Sequence, residues 1–329
     1  MELFDRLCAL ADAEGVSGFE TLAAKEVLAQ LEPLTDEVYT DTLGNVIGLK
    51  KGENTEKSIL LEAHMDEVGL IVTKVLPNGF LYFAPIGGID PKILPSAEVK
   101  IHGKEIIPGV IGAKPPHLGK EENVYDGLYI DTGRTDATGI VSVGDFVSFT
   151  GETKRMLGER VSSKSLDDRA CVAMLLSVLE QIKCPKWNIY VAISVGEELG
   201  LHGAKAIGYN IHPDVAVVTD VTFGAGNDGK EGAFPLGEGV AVLFGADSDR
   251  ELTLSICETA KKLDIPVNKE IEPERSGTDA TALQVSHGGM KTVILSVPIR
   301  YMHTTCEVLD LRDMEKGIKL LTAWIENFS

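Results

Sequence analysis

Leu166 to Glu198, LDDRACVAMLLSVLEQIKCPKWNIYVAISVGEE, decides how the chain folds. Ala170, Met174, Val178 and Ile182 recur every four residues, which predicts a long helix over Leu166 to Ile182. Asn188 to Ser194 then reads as a strand. Asp167 stands at the N-terminus of that helix, where a negative charge suits the helix dipole. Glu197-Glu198 follows the strand directly.

The same alternation runs in both directions. Downstream, strands are predicted at Val215 to Thr219, Val240 to Leu243 and Thr292 to Val297, with helices at about Gly203 to Ile207, Arg250 to Leu263 and Asp310 to Asn327. Upstream come helices over Leu3 to Ala13 and Glu20 to Leu31, two short strands around Gly44-Asn45, and a buried strand from Ser58 to Ala63. Strands alternating with helices predict an α/β fold, a mixed central sheet covered by helices on both faces.

From Val68 to Lys154 the texture changes. Short alternating strands (Leu70 to Val75, Phe80 to Ala84, Glu98 to Ile101, Phe146 to Thr150) sit among many Gly and Pro, without a long helix. Residues 68–154 therefore read as a small all-β domain inserted into a catalytic domain of residues 1–67 and 155–329.

The 329 residues suit two domains, and 44% apolar with 25% charged residues is ordinary globular composition. A net charge of −19, with no local Lys/Arg cluster, opposes binding to phosphate backbones and anionic membranes, so neither nucleic acid nor a membrane is an expected partner. Met1 to Arg6 lacks the opening of a signal peptide and the longest apolar runs are too short to span a bilayer. The odd, scattered set of five cysteines (Cys8, Cys171, Cys184, Cys257, Cys306) has no C-x-x-C pair and reads as reduced thiols, so a cytoplasmic location is expected.

Acidic residues and histidines collect at the strand ends: His64 and Asp66, Glu197 and Glu198, Asp220, His303. Open α/β sheets gather ligands at such carboxyl ends. Each residue alone has an ordinary structural explanation: a helix cap for Asp167, a solvated turn for Glu197-Glu198, a hydrogen-bonded ring for either histidine, a turn for Asp220. Together they place several anions in one crevice with too few basic residues to neutralise them, and divalent cations supply the missing charge. Imidazole nitrogens with carboxylate oxygens and no thiolate suit zinc, cobalt or manganese. A single Asp can bridge two ions about 3.5–4 Å apart, the arrangement used for hydrolysis by a shared water.

His64-Met65-Asp66-Glu67-Val68-Gly69, Leu166-Asp167-Asp168-Arg169, Gly196-Glu197-Glu198-Leu199-Gly200, Asp220-Val221-Thr222-Phe223, Gly277-Thr278-Asp279-Ala280 and Arg300-Tyr301-Met302-His303 occur in the order of one family. Over nearly its whole length the sequence resembles the glutamyl and deblocking aminopeptidases, whose members often form tetrahedral twelve-subunit shells. The resemblance implies a zinc-aminopeptidase-like fold and two divalent ions per subunit. One would be held by His64, Asp167 and Asp220, the other by Asp167, Glu198 and His303, with Asp167 bridging. Glu197 would be the general base, taking a proton from the attacking water and returning it to the leaving amine. Asp66 would hydrogen-bond and orient His64. The substrates would be short peptides with a free N-terminus. The inserted domain, with Lys114-Pro115-Pro116-His117 and Val143-Gly144-Asp145, would serve dimerisation within a homo-oligomer, either dimers or a dodecamer.

Two places depart from the family pattern: Gly196, where Gln is usual, and Thr304-Thr305-Cys306, where Ser-Pro and an aliphatic residue are usual. They leave the wall of the substrate pocket open, and Arg275 or Arg300 could meet an acidic substrate side chain. His102, His117, His202, His212 and His287 receive no catalytic role. A two-metal deacylase or carboxypeptidase would share most of the ligands. A glycoside hydrolase, a label sometimes attached to this family, needs only paired carboxylates and sits poorly with 6% aromatic residues.

Overall fold

A computed structural model describes residues 1–114, 125, 127–226 and 232–328. The Pro115-Pro116-His117 segment lies outside the described residues.

Helices α1 (Leu3–Asp12) and α2 (Thr21–Leu31) open the chain, followed by strands β1 (Glu37–Thr40), β2 (Val46–Lys50) and β3 (Asn54–His64). Strands β4 (Gly69–Val75), β5 (Phe80–Ile86), β6 (Glu98–His102), β7 (Ile106–Ala113), β8 (Leu128–Asp131) and β9 (Phe146–Phe149) come next. Short strands β10 (Lys154–Arg155) and β11 (Arg160–Ser163) lead to α3 (Leu166–Gln181). The remainder alternates: β12 (Trp187–Ser194), α4 (His202–Asn210), β13 (Val215–Phe223), β14 (Ala241–Gly245), α5 (Arg250–Lys262), β15 (Asn268–Glu272), α6 (Ala280–Gln284), β16 (Lys291–Ile299), β17 (Glu307–Asp310) and α7 (Leu311–Asn327).

Eight strands form one mixed sheet in the order β1-β2-β12-β3-β13-β16-β14-β15. The four central strands run parallel, and β2 and β14 join them antiparallel. The central strands are buried on both faces, as the unbroken apolar runs Ile59-Leu60-Leu61 and Val215-Ala216-Val217-Val218 require. One face packs against α1, α2, α3, α5 and α7, the other against α4 and α6.

Helix α3 is buried from Leu166 to Leu179. Its small residues, Ala170, Cys171 and Ala173, let it lie between the sheet, α1 and α7. Gly317 on α7 permits the closest approach, since a Cβ there would stand 2.5 Å from Met174 Sδ.

Strands β4 to β9 close into a six-stranded barrel with its own core, which includes Leu70, Leu81, Leu94, Ile101, Ile130 and Val147. Strands β7 and β8 of this barrel, and the edge strand β15, are absent from the sequence reading. Pro108 and Gly109 interrupt β7, β8 has four residues, and β15 is rich in charge. Closure of the barrel and pairing with β14 supply what local pattern lacks.

Candidate metal centre

The parallel strands deliver the acidic and imidazole groups to one end of the sheet. His64 ends β3 and lies in register with Ser194 at the end of β12, so Glu197 and Glu198 follow just beyond it. Asp220 sits within β13, which continues to Phe223, and not after the strand as the sequence suggests. His303 arrives on the loop after β16, where Tyr301 (φ 62°) and His303 (φ 60°) both take left-handed backbone.

Asp167 does not lie in the first turn of a regular helix, as its sequence position suggests. Its backbone (φ −77°, ψ 107°) and that of Asp168 (φ −113°, ψ 26°) are not helical, and the peptide joining them is cis. The regular helix starts after Asp168, so the helix dipole is not what fixes Asp167. Its backbone N–H donates instead to Glu307 Oε2 at 3.0 Å.

The side chains converge as two overlapping triads. His64 Nε2 is 3.2 Å from Asp167 Oδ1 and 3.9 Å from Asp220 Oδ1. His303 Nε2 is 3.2 Å from Asp167 Oδ2 and 3.0 Å from Glu198 Oε1. Each triad offers three ligand atoms lying within 4.8 Å of one another, and Asp167 gives one carboxylate oxygen to each. Either set could hold a divalent ion.

A layer of hydrogen bonds fixes these groups. His64 Nδ1 lies 3.2 Å from the Asp66 carbonyl and 3.5 Å from Asp66 Oδ1. Asp66 is fully buried; its carboxylate accepts from Ser17 Oγ (2.5 Å), the Glu197 N–H (3.0 Å) and the Glu198 N–H (3.2 Å). It thus ties His64 to the Glu197-Glu198 turn. Glu307, which the sequence reading missed, accepts from the backbone N–H groups of both Asp167 and His303, the latter at 2.8 Å. His303 Nδ1 pairs with the Gly88 carbonyl of the barrel at 2.8 Å, and a Cβ on Gly88 would stand 3.2 Å from that nitrogen. With both Nδ1 atoms engaged by oxygen, both Nε2 atoms face the carboxylates.

The donor set fits divalent cations on its electrostatics. Among the described residues no Lys or Arg pairs with Asp167, Glu197, Glu198 or Asp220. Burial pushes the Glu197 carboxyl up to about 9, with the charges of Asp220, Asp279 and Glu198 adding to the effect. Burial pushes Asp220 up to about 8, with Asp167 adding. Burial favours neutral imidazoles, but hydrogen bonds to Asp167 and Glu198 outweigh it at His303 and raise it to about 11. His64 is raised in the same way by Asp167 and Asp66. Without ions the cluster therefore keeps protons at neutral pH to balance its own charge.

Raised values mean proton-bound groups below them, so loading the site must expel protons and ion affinity should fall as pH drops. Calorimetric titration of chelator-stripped protein with zinc, in buffers of different ionisation enthalpy, is expected to give buffer-dependent heats. Identical heats in every buffer would contradict this electrostatic account.

The cluster opens into a cavity of about 560 Å³, also lined by Thr222, Phe223, Glu270, Glu272, Arg275, Thr278 and Met302. Arg275 lines this cavity, whereas Arg300 does not and gives its Nε–H to the Ala225 carbonyl.

Comparison with known proteins places the same residues in a family. The sequence pattern of the M42 glutamyl aminopeptidases matches residues 44–320. Lysyl aminopeptidase of Pyrococcus furiosus is 34% identical, over 96% of this chain and 95% of its own. The aminopeptidase APDkam598 from the archaeon Desulfurococcus kamchatkensis superposes with a TM-score of 0.93 at 30% identity, covering 99% of this chain and 95% of that one. The TET1 peptidase of Pyrococcus horikoshii, which can assemble into a tetrahedron or a large octahedral shell, superposes with a TM-score of 0.86 at 31% identity, covering 99% of this chain and 100% of that one. A match that runs through every strand feeding the cluster makes this chain a member of the M42 glutamyl aminopeptidase family, metal-dependent hydrolases of peptide bonds.

Proposed function

We propose that the protein is a two-metal aminopeptidase that removes N-terminal residues from short peptides, with Glu197 as general base. The observation that carries this reading is Asp167, whose two carboxylate oxygens each lie 3.2 Å from a different imidazole Nε2. That is the disposition of a bridging ligand. His64, Asp167 and Asp220 would hold one ion, and Asp167, Glu198 and His303 the other, with zinc, cobalt or manganese suited to these ligands.

Bound ions supply Lewis acidity to the scissile carbonyl and acidify an attacking water. Glu197 lines the same cavity and is not a member of either triad, so its carboxylate is free for proton transfer. Cations held beside it would offset the burial and the neighbouring negative charges that keep Glu197 protonated in the stripped chain, leaving it ionised and able to accept the water's proton. The same carboxyl then gives that proton to the leaving amine.

Asp66 is a positioning residue in this scheme. Asp66→Asn removes an oxygen acceptor from the two N–H groups that set the Glu197-Glu198 turn. Ion affinity is expected to fall about 10–100-fold, with a parallel loss in kcat. Unchanged ion affinity in this variant would show that Asp66 serves folding alone.

The barrel's carbonyl contact to His303 makes the inserted domain part of the site, and we assign it dimerisation as well, in a cytoplasmic homo-oligomer that is a dimer or a tetrahedral dodecamer. No helix among the described residues is long and apolar enough to cross a membrane. Hydrolysis of free-amine but not N-acetylated aminoacyl-p-nitroanilides by metal-loaded protein tests the reading. Release of acetyl groups instead would favour a deacylase, and cleavage of a cellulose oligomer a glycoside hydrolase.

A further inference from the structure

One wall of the catalytic cavity has the wrong polarity for a strand that merely covers a core. Along edge strand β15, Asn268, Glu270 and Glu272 share the half-buried face, while Lys269 and Ile271 face out and Ile271 is 70% exposed. Inward charge on an edge strand discourages pairing with another chain. Glu270 is more constrained than that role needs. Its carboxylate accepts a 2.5 Å hydrogen bond from Thr222 Oγ1, two residues beyond Asp220 on β13, and both Glu270 and Glu272 line the cavity that holds the triads.

Neither glutamate has a basic partner among the described residues. The contrast is with Glu67, a more deeply buried glutamate, which pairs with Lys164 at 2.8 Å. Burial raises the Glu270 carboxyl and the adjacent Glu272 charge adds to it, while hydrogen bonds from Thr222 and Ser296 oppose the rise; no cation among the described residues pairs with either carboxyl group. Arg275 lines the same cavity but forms no ion pair with either glutamate among the described residues. Its charge acts on Asp247, whose carboxylate also accepts from Ser276 and Thr281.

We propose that Glu270, backed by Glu272, is the specificity-determining residue of this cavity and selects substrates whose N-terminal residue carries a cationic side chain, lysine or arginine. The inference rests on the aminopeptidase reading above. A lysine ammonium would give the half-buried carboxylate the counter-charge it lacks, a neutral side chain would leave it without one, and an acidic one would meet like charge.

Metal-loaded protein would be assayed on the p-nitroanilides of lysine, norleucine and glutamate, norleucine being lysine without its ammonium group. The wild type is expected to favour lysine over norleucine by about tenfold or more in kcat/KM, with glutamate slowest. In Glu270→Gln the lysine-to-norleucine ratio should fall about tenfold, and Glu272→Gln should lower it less. Competition by free lysine and free norleucine, measured by calorimetry on the loaded protein, reads the same preference without turnover. Equal rates on lysine and norleucine, or a Glu270→Gln variant that slows both alike, would overturn the assignment while leaving the aminopeptidase reading intact. Failure to cleave any free-amine substrate would overturn both.

Discussion

Glu197→Gln is expected to lower kcat by about 10²–10⁴-fold while the protein still takes up two ions per chain. The carboxyl lies outside both triads, so the amide removes a proton acceptor without removing a ligand. Its backbone N–H remains bound to Asp66, which holds the turn in place. The decisive comparison is ion stoichiometry against turnover in the same preparation. A variant that keeps more than about a tenth of wild-type kcat would show that another group moves the proton. A variant that loses its ions would show that Glu197 is a ligand.

Asp167→Asn should be more damaging, because one residue serves both triads. An amide offers a single oxygen, and its NH₂ would face one of the two imidazole nitrogens that Asp167 now holds from opposite oxygens. The substitution also removes the charge that offsets His64 and His303, which keep Asp167 below the usual carboxylate range despite its burial. Both ions are expected to bind at least 100-fold more weakly, and activity should vanish at ordinary metal concentrations. Loss of one ion with the other retained would mean that Asp167 does not bridge. Replacement of Asp220 or Glu198, each in one triad, should weaken a single ion.

Strand ends were the legible part of this protein. His64, Glu197-Glu198 and His303 follow apolar runs, and such runs are readable because parallel central strands are hydrophobic on both faces. Asp220 was legible for the same reason, although its strand extends past it. The periodicity puts Asp167 at a helix N-terminus, but its backbone N–H is held by Glu307, 140 residues away, and no window of sequence contains that contact. Glu307 acts only on backbone N–H groups and leaves no spacing to recognise. Gly88, in the loop after β5, reaches His303 through its carbonyl, a contact that leaves no local sequence signal. The segment Asn268–Glu272 has the composition of a solvated loop. Only its parallel pairing with β14 turns Glu270 and Glu272 toward the cavity. Tertiary contacts thus hid the residues that support and line the site, while those that converge on it were marked by the strands that carry them.

The most direct test of the central claim is a zinc titration of chelator-stripped wild-type protein, with bound ion per chain and hydrolysis of a free-amine aminoacyl-p-nitroanilide measured at each point. Two ions per chain with full activity reached only as the second binds, and no cleavage of the N-acetylated substrate, is the predicted result. Saturation at one ion, or activity that persists in the stripped protein, would contradict it.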